Sequence, residues 1–321
     1  LQIPAQAKIR RRRAQGAWML LMSFGVATAA RSQEAPPIPS GAEPYRVRVE
    51  LALVQAAVRN PKGAFVRGLQ QKDFQVLENG KPQEIVVFSE GLEGPVRVAI
   101  LLDVSGSMRL RGRLEDCRTA IRDLLNRLAP DDEAALFAFA DGKVDVLVNF
   151  TTDRAAVREA LISREGYGQT ALIDAVAEAP NLVPRKGNQK AAIVLLTDGV
   201  DTASRLHPDQ AIEIARRTQV PLYTVFLVDP HEERRQAEGA AVVTRLAEAT
   251  GGATFFANLA VEVQTAIRRI VEDLKLAYVV GYYPSSAPGP HELEVRASCR
   301  KCVVSARQGV YAVAAADGGT P

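Results

Sequence analysis

A chain of 321 residues with 47% hydrophobic composition is long enough for one large domain and a smaller unit beside it. The formal net charge is only +3, and Lys and Arg are scattered apart from one early run. That balance argues against a nucleic-acid-binding surface.

The early run is Arg10 to Arg13, followed by the apolar segment Ala17 to Ala30. A basic region, a short apolar region and Ala27 and Ala29 at cleavage spacing read as a secretory signal peptide over residues 1–30. A retained membrane anchor is the alternative, but the segment is short for a span of about 20 residues. No cysteine follows it, which argues against a lipid-linked form. The expectation is an exported protein, periplasmic or extracellular, with no stable membrane span after cleavage. Residues 31–44, rich in Pro, Ser, Gly and Ala, read as a flexible leader.

Residues 45–92 read as a small all-strand segment. Val47 to Val58 alternates in the strand manner, and Asp73 to Leu77 and Ile85 to Phe88 are short strands split by a turn over Glu78 to Pro82. From Val96 the rhythm changes. Val96 to Leu102 is nearly all apolar, as a parallel strand covered on both faces should be. Leu110 to Leu128 is amphipathic at the helix period, with Cys117 on its apolar stripe and so a buried residue without chemistry. Ala134 to Phe139 and Val144 to Phe150 form a hairpin about Asp141-Gly142. Asp153 to Ile162 reads as a helix capped by Thr151 or Thr152, and Thr170 to Ala179 as another.

Ala191 to Leu196 is a second central strand. Helices at Pro208 to Arg217, Ala240 to Ala249 and Val261 to Leu274 alternate with strands at Leu222 to Val228 and Ala253 to Phe256. This alternation predicts an α/β unit over 93–275: a Rossmann-like, three-layer, open and mostly parallel sheet with one antiparallel edge strand. Strands return at Leu276 to Tyr283, Leu293 to Ala297 and Val303 to Tyr311. Residues 276–313 are expected to pack with the first strand segment as a small β unit, and 314–321 to be an unfolded tail. Cys299 and Cys302, flanking Arg300-Lys301, suit a small disulfide across a hairpin end in an oxidising compartment, with two free thiols as the alternative. A zinc site would need a second pair.

The chemistry concentrates in Leu101 to Arg109, LLDVSGSMR. A central strand delivers Asp103 to the carboxyl end of the sheet, where crevices of open α/β sheets form. Ser105 and Ser107 stand two apart about Gly106, so both hydroxyls can face one point. Thr170 offers a third hydroxyl, and Asp198 ends the second central strand. Small oxygen donors without sulfur or imidazole suit a hard divalent cation. Taken singly, each aspartate reads as a cap or a turn.

Asp103-Val104-Ser105-Gly106-Ser107 with Thr170 and Asp198 resembles the metal-ion-dependent adhesion site of von Willebrand factor type A domains, and the likeness spans roughly residues 94–275. The resemblance implies that Ser105, Ser107 and Thr170 coordinate the ion and that Asp103 and Asp198 hold it through waters or hydrogen bonds. It also implies an open position filled by an Asp or Glu of a partner protein. Mg2+ or Mn2+ is the expected ion, with Ca2+ as the alternative. The stretches Gly68 to Phe74, Glu78 to Gln83, Tyr278 to Pro284 and Arg307 to Tyr311 are similar to the lead-in and closing strands of a bacterial, acidobacterial-type group of such proteins. Met108, Arg109, Tyr167 and Gln169 are candidates for the partner-facing rim. Asp201 reads as a cap for the next helix or a helper carboxylate.

The reading is a binding module and not an enzyme. Ser105 does not sit in a G-x-S-x-G elbow, no phosphate-binding loop pattern is present, and no G-x-G-x-x-G follows a strand. His207, His231 and His291 lack metal-ligand spacing, and His207 and His231 read as solvated loop residues. Two further classes stay open: an envelope assembly protein whose site only braces a loop, and metal-assisted hydrolysis of a phosphate ester.

Overall fold

The computed structural model describes residues 51–91, 94–162, 166–183, 190–217, 220–285 and 289–312. The expected signal peptide, leader and tail lie outside the described residues.

Strands β1 (Ala52–Arg59), β2 (Phe74–Glu78), β3 (Lys81–Gln83) and β4 (Val87–Glu90) come first. Then follow β5 (Val96–Asp103), α1 (Arg113–Arg127), β6 (Glu133–Ala140), β7 (Lys143–Thr151), α2 (Arg154–Ile162) and α3 (Leu172–Glu178). Next are β8 (Lys190–Thr197), α4 (Pro208–Arg216), β9 (Leu222–Leu227), α5 (Glu233–Thr250), β10 (Thr254–Ala257) and α6 (Ala260–Leu276). The described chain closes with β11 (Tyr278–Tyr282), β12 (Gly289–Ala297), β13 (Val303–Ala306) and β14 (Gly309–Ala312).

The apolar runs form a six-stranded sheet in the order β10-β9-β8-β5-β6-β7. Its pairings are parallel except at the edge, where β7 runs antiparallel to β6. All eight residues of β5 are buried, because helices cover both faces. Val98, Ile100 and Leu102 point into one layer with α1, α2 and α6. Ala99 and Leu101 point into the other with α3, α4 and α5. The chain leaves β5 toward β6 on one side, and β8 later joins on the other. The sheet therefore reverses its winding between β5 and β8, which opens a crevice at their carboxyl ends.

The terminal strands make two antiparallel four-stranded sheets, β13-β1-β11-β4 and β14-β12-β2-β3. Val54, Val58, Tyr278 and Val280 of one pack against Phe74, Val76, Leu293 and Val295 of the other. This is the flanking β unit that the two outer groups of strands predict. Only Ala277 separates α6 from β11. Arg59 of β1 donates to Asp273 Oδ1 (2.5 Å) and to the Arg269 carbonyl (2.9 Å), fixing the last turns of α6 to the sandwich.

Local differences from the sequence reading have physical causes. The helix expected from Leu110 starts at Arg113, because Leu110 is extended and Arg111 takes a left-handed φ of 54°. Asp153, not Thr151 or Thr152, caps α2: its Oδ1 accepts from the backbone of Ala155 and Ala156. Pro82 lies in the edge strand β3, where no N–H is required of it, so the turn shrinks to Asn79-Gly80. Val303 to Tyr311 is not one strand. It crosses from one sheet to the other at Arg307-Gln308. Cys299 and Cys302 are disulfide-bonded, between β12 and β13, so the bridge sits at a corner where the chain changes sheets and not across a hairpin end.

Candidate metal centre

Three loops converge over the β5–β8 crevice. Gly106 N donates to Gly168 O (3.1 Å) and Tyr167 N to Val104 O (2.7 Å), joining the serine loop to the segment before Thr170. Gln169 N donates to Asp141 Oδ1 (2.6 Å), and Asp141 N to Gln169 O (2.8 Å), so the β6–β7 turn braces the same segment. Gly168 has φ +73°, and a Cβ there would lie 2.1 Å from Asp141 Oδ2, so only glycine fits. Thr170 is tied to the loop after β8: its N–H donates to Thr202 Oγ1 (3.0 Å) and its carbonyl accepts from Thr202 and Ala203. Asp201 accepts from Ile173 N at 3.0 Å, so it caps α3, the helix before it in sequence and not the one after.

Asp103, Ser105 and Asp198 are fully buried, and Thr170 nearly so. Ser105 Oγ and Ser107 Oγ are 3.2 Å apart, facing one point as their spacing predicts. Asp103 accepts from Ser105 N (2.9 Å) and from Thr197 Oγ1 (2.6 Å). These donors are neutral, and among the described residues no cationic side chain pairs with Asp103. Burial, and after it the charge of Asp198, pushes the Asp103 carboxyl up to about 7, against the pull of the Ser105 and Thr197 hydrogen bonds. A buried carboxylate without a counter-charge calls for a proton or a cation.

Asp198 is held differently. Its Oδ2 accepts from Arg113 Nη1 at 2.7 Å. Arg113 Nη2 donates to Asp229 Oδ2 at 2.6 Å, and Arg111 Nη1 to Asp229 Oδ1 at 2.7 Å. The His231 backbone N–H, with these two guanidinium groups, keeps Asp229 below the usual carboxylate range. Gln236 locks the frame, donating to Asp198 O (2.9 Å) and Leu227 O (2.8 Å) and accepting from Asp229 N (2.8 Å). Sequence reasoning did not single out Arg113, Asp229, Gln236 or Thr197. Arg113 looks like an ordinary helix-start residue until β8 and β9 are placed side by side.

The residue set fits a hard divalent cation. Among the described residues no three His, Cys, Asp or Glu side chains group so as to hold an ion. An ion here must therefore draw on the hydroxyls of Ser105, Ser107 and Thr170, with Asp103 and Asp198 behind them. Of the residues expected at the partner-facing rim, Arg109, Tyr167 and Gln169 are exposed. Met108 is not on that rim. Its side chain is fully buried in the layer of α1, α2 and α6, because the turn after Ser107 carries it under the sheet edge. His207 is exposed and caps α4, and His231 is an exposed loop residue.

Residues 98–200 match the family model of the von Willebrand factor type A domain. Asp103, Ser105, Ser107, Thr170 and Asp198 all fall within that match. A curated relative, an uncharacterized protein of Borreliella burgdorferi, is 30% identical over 144 residues, 42% of this chain; the chain spans about two fifths, 41%, of that relative's length. Among solved structures, an aerotolerance-related membrane protein from Bacteroides fragilis is 20% identical with a TM-score of 0.46, over 55% of this chain and 98% of that one. BatB from Bacteroides thetaiotaomicron is 22% identical with a TM-score of 0.43, over 56% of this chain and 98% of that one. Among the described residues, no helix is long and apolar enough to cross a membrane.

Proposed function

We propose that this protein is an exported, non-catalytic binding module that captures an Asp or Glu of a partner protein through a divalent cation, Mg2+ or Mn2+. The observation that carries the reading is Asp103, a fully buried carboxylate at a strand end with only neutral donors around it, beside two converging serine hydroxyls. A cation held by Ser105, Ser107 and Thr170 neutralises Asp103. It supplies an electrophilic point that a partner carboxylate can meet in a charge-assisted contact. The residues of the chain hold and orient the ion. His207 and His231 are exposed. The bacterial, acidobacterial-type likeness of the flanking strands and the Cys299–Cys302 disulfide support an oxidising compartment outside the cytoplasm.

Calorimetric titration of the chain with Mn2+, Mg2+ and Ca2+, alone and with an acidic peptide, tests this. Saturable binding that is lost in Asp103→Ala and weakened in Ser105→Ala is the expected result. Cation affinity equal in wild type and both variants overturns it. Peptide capture that survives chelator favours a purely structural role. Turnover of a phosphate ester that dies with Asp103→Ala favours the hydrolase.

A further inference from the structure

Asp198 does not own its counter-ion. Arg113, 6% exposed, spreads its guanidinium between Asp198 Oδ2 (2.7 Å) and Asp229 Oδ2 (2.6 Å). The same Nη1 lies 3.4 Å from the carbonyl of Ser107. The arginine is therefore in contact with two residues of the hydroxyl site and with two carboxylates outside it, Asp229 and, at 4.0 Å, Glu232. Asp229 shares its charge with Arg111 as well, at 2.7 Å. Asp229, 3% exposed, lies two residues past the end of β9 and belongs to no part of the ligand set. Gln236 bridges the Asp198 carbonyl and the Asp229 N–H, so the two strand ends cannot drift apart to release the arginine.

A fixed positive charge beside a cation site repels the ion, and a fixed negative charge one step further out attracts it. In buried surroundings neither is fully screened. We infer that Arg113 and Asp229 set the cation affinity of the site in opposite directions: Arg113 weakens capture by neutralising Asp198, and Asp229 restores part of it by drawing that charge away. The inference rests on the reading of the crevice as a cation site. Its consequence is coupling. With Asp198 half-neutralised, the ion is held loosely until a partner carboxylate adds the missing negative charge. Ion retention and partner capture then strengthen each other reciprocally.

The test is Mn2+ titration of the full chain, followed by electron paramagnetic resonance and calorimetry, with near-ultraviolet circular dichroism as the check of folding. Arg113→Gln is expected to bind Mn2+ at least about tenfold more tightly, and Asp229→Asn several-fold more weakly. Arg113→Lys keeps the charge and stays within about twofold of wild type. An acidic peptide raises Mn2+ affinity in wild type, and by less in Arg113→Gln. Weakening in both Arg113→Gln and Asp229→Asn, or no change in either, overturns the inference while wild-type binding leaves the cation site standing. Wild type that binds Mn2+ no better than Asp103→Ala, with peptide present, overturns both. If Arg113→Gln fails to fold, Asp229→Asn decides alone: weaker Mn2+ binding supports the inference, and unchanged or tighter binding overturns it.

Discussion

Arg59 in the sandwich and Arg113 in the α/β unit each reach more than one carboxylate, yet they do different work. Arg59 meets Asp273 at 2.5 Å and Glu272 at 3.3 Å, and its remaining donors end on the carbonyls of Gly63 and Arg269. Glu272 keeps 38% of its side chain in water, so solvent settles the surplus charge. Around Arg113 the partly exposed partners, Glu232 and the Arg111 that shares Asp229, both lie on the side away from Asp198. Asp198 and Asp229 are buried with it, and Asp103 is buried nearby with neutral donors only. Similar chemistry makes a closed clamp where water reaches one partner. On the side of Asp103 and Asp198, both fully buried, one guanidinium stands beside two carboxylates and leaves a deficit of positive charge. Deficits of that kind mark sites more than scaffolds.

The sharpest way to break the contrast is Arg59→Ala. Removing the clamp leaves Asp273 buried and unpaired, so denaturant unfolding should show a loss of about 3 kcal/mol with Mn2+ affinity unchanged. Equal loss of ion binding would show that the two regions are not separable. The second expectation concerns pH. In chelator, folded Asp103 keeps its proton up to about 7, while the unfolded chain releases it near the ordinary 3.8. The unfolded state therefore binds fewer protons between those values, and stability falls as pH rises through that window. The melting temperature should drop by several degrees, on the order of the shift a few kcal/mol produces. Asp103→Asn should flatten the slope, and saturating Mn2+ should remove most of it. The smallest expected effect is Gly168→Ala. A Cβ at left-handed φ costs about 1–2 kcal/mol. It also pushes Asp141 off the segment before Thr170, so calorimetry should show weaker Mn2+ binding in a protein that still folds.

The fold was legible where the chain is repetitive. The all-apolar β5 and β8, the Asp141-Gly142 turn and the 3.6-residue stripe through Cys117 each carry a local signal of period or turn chemistry. Ser105 and Ser107 were legible for the same reason: their convergence is a property of five consecutive residues. What was hidden depends on strands distant in sequence. Arg113 finds Asp198 and Asp229 only after β8 and β9 lie side by side. Met108 reads as an exposed loop residue until the turn after Ser107 is built and carries it inward. The break at Arg307 left no local mark either, because both halves of Val303 to Tyr311 read as strand.

The direct join of α6 to β11, with Ala277 alone between them, has a mechanical consequence. The α/β unit leaves the sandwich after β4 and returns to it at β11, and β4 and β11 are hydrogen-bonded neighbours. The unit is thus a loop whose two ends are stapled together by a sheet. Tension drawn along the described chain from β1 to β14 passes through the sandwich and goes around the crevice. A load on the serine loops would enter through the α/β unit, away from β1 and β14 at the ends of the described chain.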